Sequence, residues 1–222
     1  MNIEYAVHET SFNDLELKAI LVELNKYTIN SISVLPSSLK VAKSIINENI
    51  SISCPIDYPL GINSLETRLS MIQYAGKNGA NIVDIMIPHQ IVCNRKYEKF
   101  RDDIKSSIDL CLSLGIKPRY MFEYRVFNYE TLYKLAQILT TYNIFEISPS
   151  SGYRLDNLYD NILAGAMIKK KVPKMLIIYN GNIWTSEQID QLFETKPYGV
   201  RVYSLNTLTI LYKKYLESKS LG

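Results

Sequence analysis

The sequence predicts an α/β fold, a parallel (β/α)8 barrel of the TIM type, on three observations. Eight short runs rich in β-branched and aromatic residues alternate with segments of helical periodicity, the connections between them are short, and 222 residues suit one such barrel. A doubly wound open sheet would use fewer strands, and nothing in the chain resembles a Gly-rich dinucleotide turn. Residues 1–222 are therefore expected to form one domain, large enough to bury roughly 70% of its unfolded surface.

The elements follow in order. Asn2 to Val7 reads as a strand, and Asp14 to Tyr27 as a helix with Leu17, Ile20, Leu21 and Leu24 on one face. Ser31 to Val34 is a strand ended by Pro36, and Ser37 to Glu48 a helix. Ser51 to Ile56 is the third strand. After Asp57-Tyr58-Pro59-Leu60-Gly61, the pair Asn63 and Glu66 fits a capping box for a helix to about Asn78, which Gly79 stops.

The fourth strand lies in Asn81-Ile82-Val83-Asp84-Ile85-Met86-Ile87, closed by Pro88-His89-Gln90. An acid inside a buried strand costs several kcal/mol unless it is paired, so Asp84 either has a hidden partner or is placed for chemistry. A helix from about Lys96 to Leu114 ends at Gly115, Pro118 to Tyr124 is the fifth strand, and Asn128 caps a helix to about Thr141. Ile144 to Ser148 is the sixth strand, opening into Pro149-Ser150-Ser151-Gly152-Tyr153-Arg154; a helix then runs from Asp156 to Lys171. Met175 to Asn180 is the seventh strand, Thr185 and Gln188 fit a second capping box for a helix to about Glu194, Gly199 to Ser204 is the eighth strand, and Leu205 to Leu216 the last helix.

Composition narrows the function. A net charge of +3 with scattered basic residues argues against a nucleic-acid partner, since the run Lys169-Lys170-Lys171 suits a helix C-terminus. Cys54, Cys93 and Cys111 have neither metal-ligand spacing nor an even count, and neither histidine sits in a metal-binding motif, so no metal, cofactor or disulfide framework is expected. No apolar run reaches membrane-spanning length and Met1-Asn2-Ile3-Glu4 is not a signal peptide, which points to a cytoplasmic protein without a membrane partner. A homodimer is possible for such a barrel, but the sequence carries no interface signal beyond the expected partial exposure of Trp184, Tyr198 and Tyr212.

In a (β/α)8 barrel, chemistry sits at the C-terminal ends of the strands. The candidates for catalysis are Asp84, Glu123, Glu146 and His89; those for ligand binding are Asp57, Ser148, Ser150, Arg154, Asn180, Gly181 and Ser204, with His8, Ser37, Tyr58 and Arg125 nearby. Clustered carboxylates would raise one another's pKa and hold a proton, a cation or an ammonium group. Alternatively they pair with Arg119, Arg125 and Arg201. Pro149-Ser150-Ser151-Gly152 and Asn180-Gly181-Asn182 could present backbone N–H groups to a phosphate, as many turns could.

Three segments carry a family resemblance. Tyr58-Pro59-Leu60-Gly61-Ile62-Asn63 with Glu66 resembles F-P-x-G-x-N and its following acid, Asn78-Gly79-Ala80-Asn81-Ile82-Val83-Asp84 resembles G-A-D-E-V-D, and Glu123 resembles the acid ending the next strand. Together they resemble the deoxyribose-phosphate aldolases, class I aldolases that work through a lysine Schiff base, over about Ser11 to Ser204. The resemblance implies a role in proton transfer for Asp84.

The departures concern the chemistry itself. The family's Schiff-base lysine lies in K-T-S-T-G on the sixth strand; here Glu146 takes its place when aligned on the strand and Ser148 when aligned on Gly152. The second lysine, in K-x-x-G-G, is matched by Ile178, the paired glycines by Gly181-Asn182, and the late G-x-S-S turn by Tyr203-Ser204-Leu205-Asn206. Lys117 and Lys174 precede their strands and belong to the opposite end of a barrel. An iminium requires a primary amine, which neither glutamate nor serine supplies.

Three readings follow. The first is an aldolase-like barrel without Schiff-base lyase activity, binding a small carbonyl or sugar-like ligand or a protein partner. The second is a carbon–carbon lyase with carboxylate- or metal-assisted chemistry on Asp84, Glu123, Glu146 and His89. The third is an ordinary deoxyribose-phosphate aldolase with a displaced lysine.

Overall fold

The structure, a computed structural model, describes residues 1–154, 157–181 and 183–220. Strands β1 (Asn2–Val7), β2 (Ser31–Val34), β3 (Ser51–Ile56), β4 (Ile82–Met86), β5 (Lys117–Met121), β6 (Glu146–Ser148), β7 (Leu176–Asn180) and β8 (Gly199–Val202) pair in parallel in chain order. β8 returns to β1, with Glu4 opposite Arg201, and closes the barrel. The helices are α1 (Asp14–Leu24), α2 (Leu39–Ile45), α3 (Leu65–Lys77), α4 (His89–Cys93), α5 (Tyr97–Ser113), α6 (Tyr129–Thr141), α7 (Leu158–Lys171), α8 (Ser186–Glu194) and α9 (Leu205–Ser220). The predicted (β/α)8 barrel is the fold. Asp156, expected to open the seventh-strand helix, lies outside the described residues, as does Asn182.

Strand alternation sorts the side chains into two sets. Ile32, Val34, Ile52, Cys54, Val83, Ile85, Tyr120, Ile147 and Val200 face outward into one apolar layer with Leu21, Leu39, Ile72, Phe100, Leu132, Ile168 and Leu208 of the helices. Each such side chain contributes about 1.5–3 kcal/mol by burial, and this layer is the main source of stability. The intervening strand residues face inward, and many of them are polar.

Two boundaries differ from expectation for identifiable reasons. Helix α3 is capped by Ser64, whose Oγ accepts from the Thr67 N–H at 3.3 Å, because Asn63 is already bound to Asp57 through both its N–H and Nδ2. After β4 the chain turns at once into the single-turn α4, since Pro88 occupies a helix-start position at which no N–H is missed. Gly79 and Gly115 do stop their helices with positive φ, and Asn128 and the Thr185–Gln188 capping box sit as expected. The three lysines of 169–171 fill the last turn of α7, where cations suit the carbonyl dipoles. Among the described residues, no helix is long and apolar enough to cross a membrane.

Candidate functional site

Inside the barrel, four charged side chains meet. Arg119 of β5 donates through Nε to Asp84 Oδ1 at 2.7 Å and through Nη1 to Glu4 Oε1 at 2.6 Å. Arg201 of β8 donates through Nη2 to Asp84 Oδ2 and to Glu4 Oε2, both at 2.7 Å. All four are buried. Burial opposes ionisation of Asp84 and Glu4, but Arg119 and then Arg201 outweigh it and hold both carboxyls below their usual range. With both oxygens of Asp84 so engaged, its geometry is that of a paired structural charge.

Following the pairing register around the closed barrel puts Ile178 near the height of Glu4 and Arg119, and Ser148 near that of Asp84 and Arg201. Ser148 and Ile178 are both buried and lie on the inward set. Glu146, the first residue of β6, is two residues nearer the N-terminal end of the barrel. There it pairs with Lys117, the first residue of β5, accepts from the Tyr198 hydroxyl at 3.2 Å, and comes within 3.9 Å of Arg119 Nη1. This corrects the expectation that Glu146 faces the mouth: the observed strand starts at Glu146 rather than two residues before it.

The mouth has two unlike halves. Over β1, β3 and β8 stand rings: His8 meets Tyr58 edge-on at 5.1 Å and Tyr203 at 5.7 Å, and Tyr58 meets Tyr153 at 6.1 Å. The Tyr203 hydroxyl donates to Asn180 Oδ1 at 2.6 Å, and it crowds Gly152 so closely that a Cβ there would lie 2.3 Å from Oη. His8 shares a 2.9 Å hydrogen bond through Nε2 with Ser33, and burial, helped by Arg201, pushes its pKa down to about 3. The rings bound a cavity of about 230 Å³ together with Glu9 and Phe12.

Over β4 to β6 the mouth is polar. Glu123 Oε2 accepts from the Ser151 hydroxyl at 2.7 Å, while Oε1 has no hydrogen-bond donor and lies 3.7 Å from Arg125 Nε. His89, packed edge-on against Phe127, has Nε2 buried without a partner; burial lowers its pKa and Glu123 opposes the shift.

The remaining candidates are largely engaged in holding loops. Asp57, at φ 57°, accepts from the Ile62 and Asn63 N–H groups and from Asn63 Nδ2, and lies 3.5 Å from buried Arg68. The neighbouring Gly61 is indispensable there: its φ is +63°, and a Cβ would stand 2.2 Å from the Ile87 carbonyl oxygen. Ser150 accepts from the Gly152 N–H, Asn180 donates to the Ser151 carbonyl, and Ser204 accepts from the Thr207 N–H at the start of α9. Gly181 is buried at φ 154°, and Arg154 is exposed. These contacts recast Asp57, Ser150, Asn180 and Ser204 as loop-fastening groups. Among the described residues no cluster of three or more His, Cys, Asp or Glu could hold a metal ion, and among the described side chains no lysine is buried.

Sequence reasoning overlooked Glu4, Glu9, Phe12 and Tyr153. Glu4 had a signal, being a second acid at an inward-alternating position of a strand; the other three lie in loops or strand ends without a pattern.

Comparison with known proteins agrees with the barrel fold. No family model matches the chain. It is 23% identical over 194 residues to the deoxyribose-phosphate aldolase of Mycoplasmopsis pulmonis, covering 86% of each chain, and 26% identical over 195 residues to that of Mycoplasmopsis synoviae, covering 86% of this chain and 83% of the relative. Among solved structures, the aldolase QR15 superposes with a TM-score of 0.83 at 18% identity, covering 98% of this chain and 96% of the other. The tetrameric deoxyribose phosphate aldolase of Aeropyrum pernix superposes with a TM-score of 0.79 at 15% identity, covering 100% and 91%. The chain is thus similar in sequence, at low identity, to proteins named deoxyribose-phosphate aldolase, and it shares their (β/α)8 barrel fold.

Proposed function

We propose that the chain is a single-domain aldolase-like barrel without Schiff-base lyase activity, whose mouth binds a small molecule. One observation carries this reading: Ser148, which with Glu146 is one of the two residues that the resemblance aligns with the Schiff-base lysine, and Ile178, aligned with the second lysine, stand inward beside an Asp84 whose oxygens are both taken by arginines. A Schiff base needs a free primary amine near the carbonyl, and neither side chain can provide one. Lys117, the first residue of β5, is paired with Glu146 at the far end. Tyr203 over Gly152 also occupies space that a phosphate would need against the bare loop.

The test is borohydride trapping with deoxyribose 5-phosphate and a panel of simpler aldehydes and ketones, read by intact mass. The expected result is no adduct. A stable adduct mapped to one lysine overturns the proposal and restores an ordinary class I aldolase.

A second reading, a lyase with altered chemistry, is favoured by two buried atoms without a hydrogen-bond partner, His89 Nε2 and Glu123 Oε1, the latter in an ion pair with Arg125 at 3.7 Å. A neutral imidazole and a carboxylate on the same side of the mouth could remove and return a proton next to a substrate carbonyl. Turnover of a carbonyl substrate that is lost in both His89→Gln and Glu123→Gln would support it, and an activity screen with and without divalent metal would separate it from a silent barrel.

A further inference from the structure

We propose that the aromatic half of the mouth binds a small organic ammonium ion, held by the rings of Phe12, Tyr58 and Tyr153 and by the carboxylate of Glu9. The inference rests on reading the mouth as a small-molecule pocket and names the class of ligand it would take. The cavity of about 230 Å³ is open to solvent on the side where Phe12 and Tyr153 are exposed, so a ligand can enter without unfolding a loop.

The chemistry of the walls decides the class. A sugar would need free donors and acceptors, yet the polar tips here are mostly engaged internally. Tyr5 donates to the Tyr203 carbonyl, Tyr203 to Asn180, and His8 Nε2 is occupied by Ser33. What remains is chiefly aromatic surface, with the buried His8 Nδ1 left without a hydrogen-bond partner. Tyr58 and Tyr153 stand at 83° to one another, which makes a corner of two rings rather than a flat platform. A corner suits a compact cation better than a planar or extended ligand, because the negative faces of several rings can act on one centre of charge.

The charges agree. Among the described residues that line the cavity, Glu9 is the one that is charged, and its carboxyl is held ionised by hydrogen bonds from the Ser11 N–H and hydroxyl. His8 is neutral there, and the Glu4, Asp84, Arg119 and Arg201 group beneath the floor sums to zero. Arg154 follows Tyr153 in sequence but does not line the cavity. An anion, by contrast, would meet Glu9 and find no free cation.

The experiment titrates the full chain with choline and, separately, with its neutral isostere in which carbon replaces the quaternary nitrogen, followed by calorimetry or NMR. Saturable choline binding is expected, about tenfold tighter than the isostere, with selectivity kept in Tyr153→Phe, reduced a few-fold in Glu9→Gln and largely lost in Tyr153→Leu. Because Glu9 and Tyr153 are exposed, these variants leave the fold intact. Equal affinity for the isostere, no saturable binding of choline, or unchanged selectivity in Tyr153→Leu would each overturn the proposal. Borohydride trapping on the same samples keeps the two claims apart. An adduct with choline selectivity intact refutes only the lysine-free reading, and absent selectivity without an adduct refutes only the cation pocket.

Discussion

Asp84 and Arg119 are direct partners across β4 and β5, and the arginine Nε lies 2.7 Å from the aspartate Oδ1 in the middle of the barrel. A strand acid that the family resemblance links to proton transfer is here one corner of a closed ionic square. Removing one partner from such a buried group leaves an uncompensated charge and costs more than removing the pair.

Arg119→Met is accordingly expected to lower the free energy of unfolding by about 3–5 kcal/mol, since it strips Asp84 and Glu4 of a shared cation. The double variant Asp84→Leu with Arg119→Met should recover most of that loss, because Glu4 and Arg201 then remain as a balanced pair. Urea denaturation of the two variants measures the difference; equal destabilisation would show that the square is not the relevant unit.

Stability should fall with acid in two stages. The His8 pKa is lowered in the fold from 6.5 to about 3, so the unfolded chain takes up a proton first. The contribution is therefore complete above pH 6.5 and is lost as pH falls towards 3, at up to about 1.4 kcal/mol per pH unit. Glu4 and Asp84, also lowered, add their loss only below their ordinary values of 4.5 and 3.8. Between pH 6.5 and 4.5, His8→Phe should flatten the decline, as followed by denaturation midpoints.

Restoring an amine tests the assignment of the sixth-strand position. Ser148→Lys would place an amine-bearing chain in a buried site at the height of Arg201 and Asp84, where burial and the cation lower a lysine pKa and the carboxylate opposes the shift. The variant should lose about 1–3 kcal/mol to overpacking and should trap an aldehyde with borohydride at the new lysine. A Glu146→Lys variant should not trap at that position, since it faces the other end beside Lys117.

Two glycines should respond differently to alanine. Gly61→Ala meets a backbone carbonyl at 2.2 Å and cannot be relieved by any side-chain change. Gly152→Ala meets chiefly the Tyr203 hydroxyl at 2.3 Å, so Tyr203→Ala should rescue part of its cost, although the φ of +75° remains strained. Thermal unfolding of the two single variants and the double variant reads the contrast.

The barrel was legible because its strands are short apolar runs punctuated by helix caps and stops, and Asn128, Thr185, Gly79 and Gly115 sit where local chemistry requires them. The site was less so. That Asp84 needed a partner followed from its burial, but which of three arginines served depended on barrel closure, which brings residues 4 and 201 together. Glu146 was misplaced because a strand beginning two residues late moves its side chain towards the other end of the barrel. Asp57 looked like a ligand group because nothing local reveals that its own loop folds back onto its oxygens.

The ionic square also divides the chain in a particular way. Both acids, Glu4 and Asp84, come from the first four strands, and both arginines, Arg119 and Arg201, from the last four. Each half-barrel thus carries two like charges whose nearest partners come from the other half, with Glu146 of the second half a more distant neighbour of Arg119 at 3.9 Å. Two copies of the first half could imitate an eight-stranded ring in shape, but they would enclose the four carboxylates of Glu4 and Asp84 without either arginine. The interior works as a lock and key between the two halves of one polypeptide, favouring heterologous closure over self-pairing while the barrel assembles.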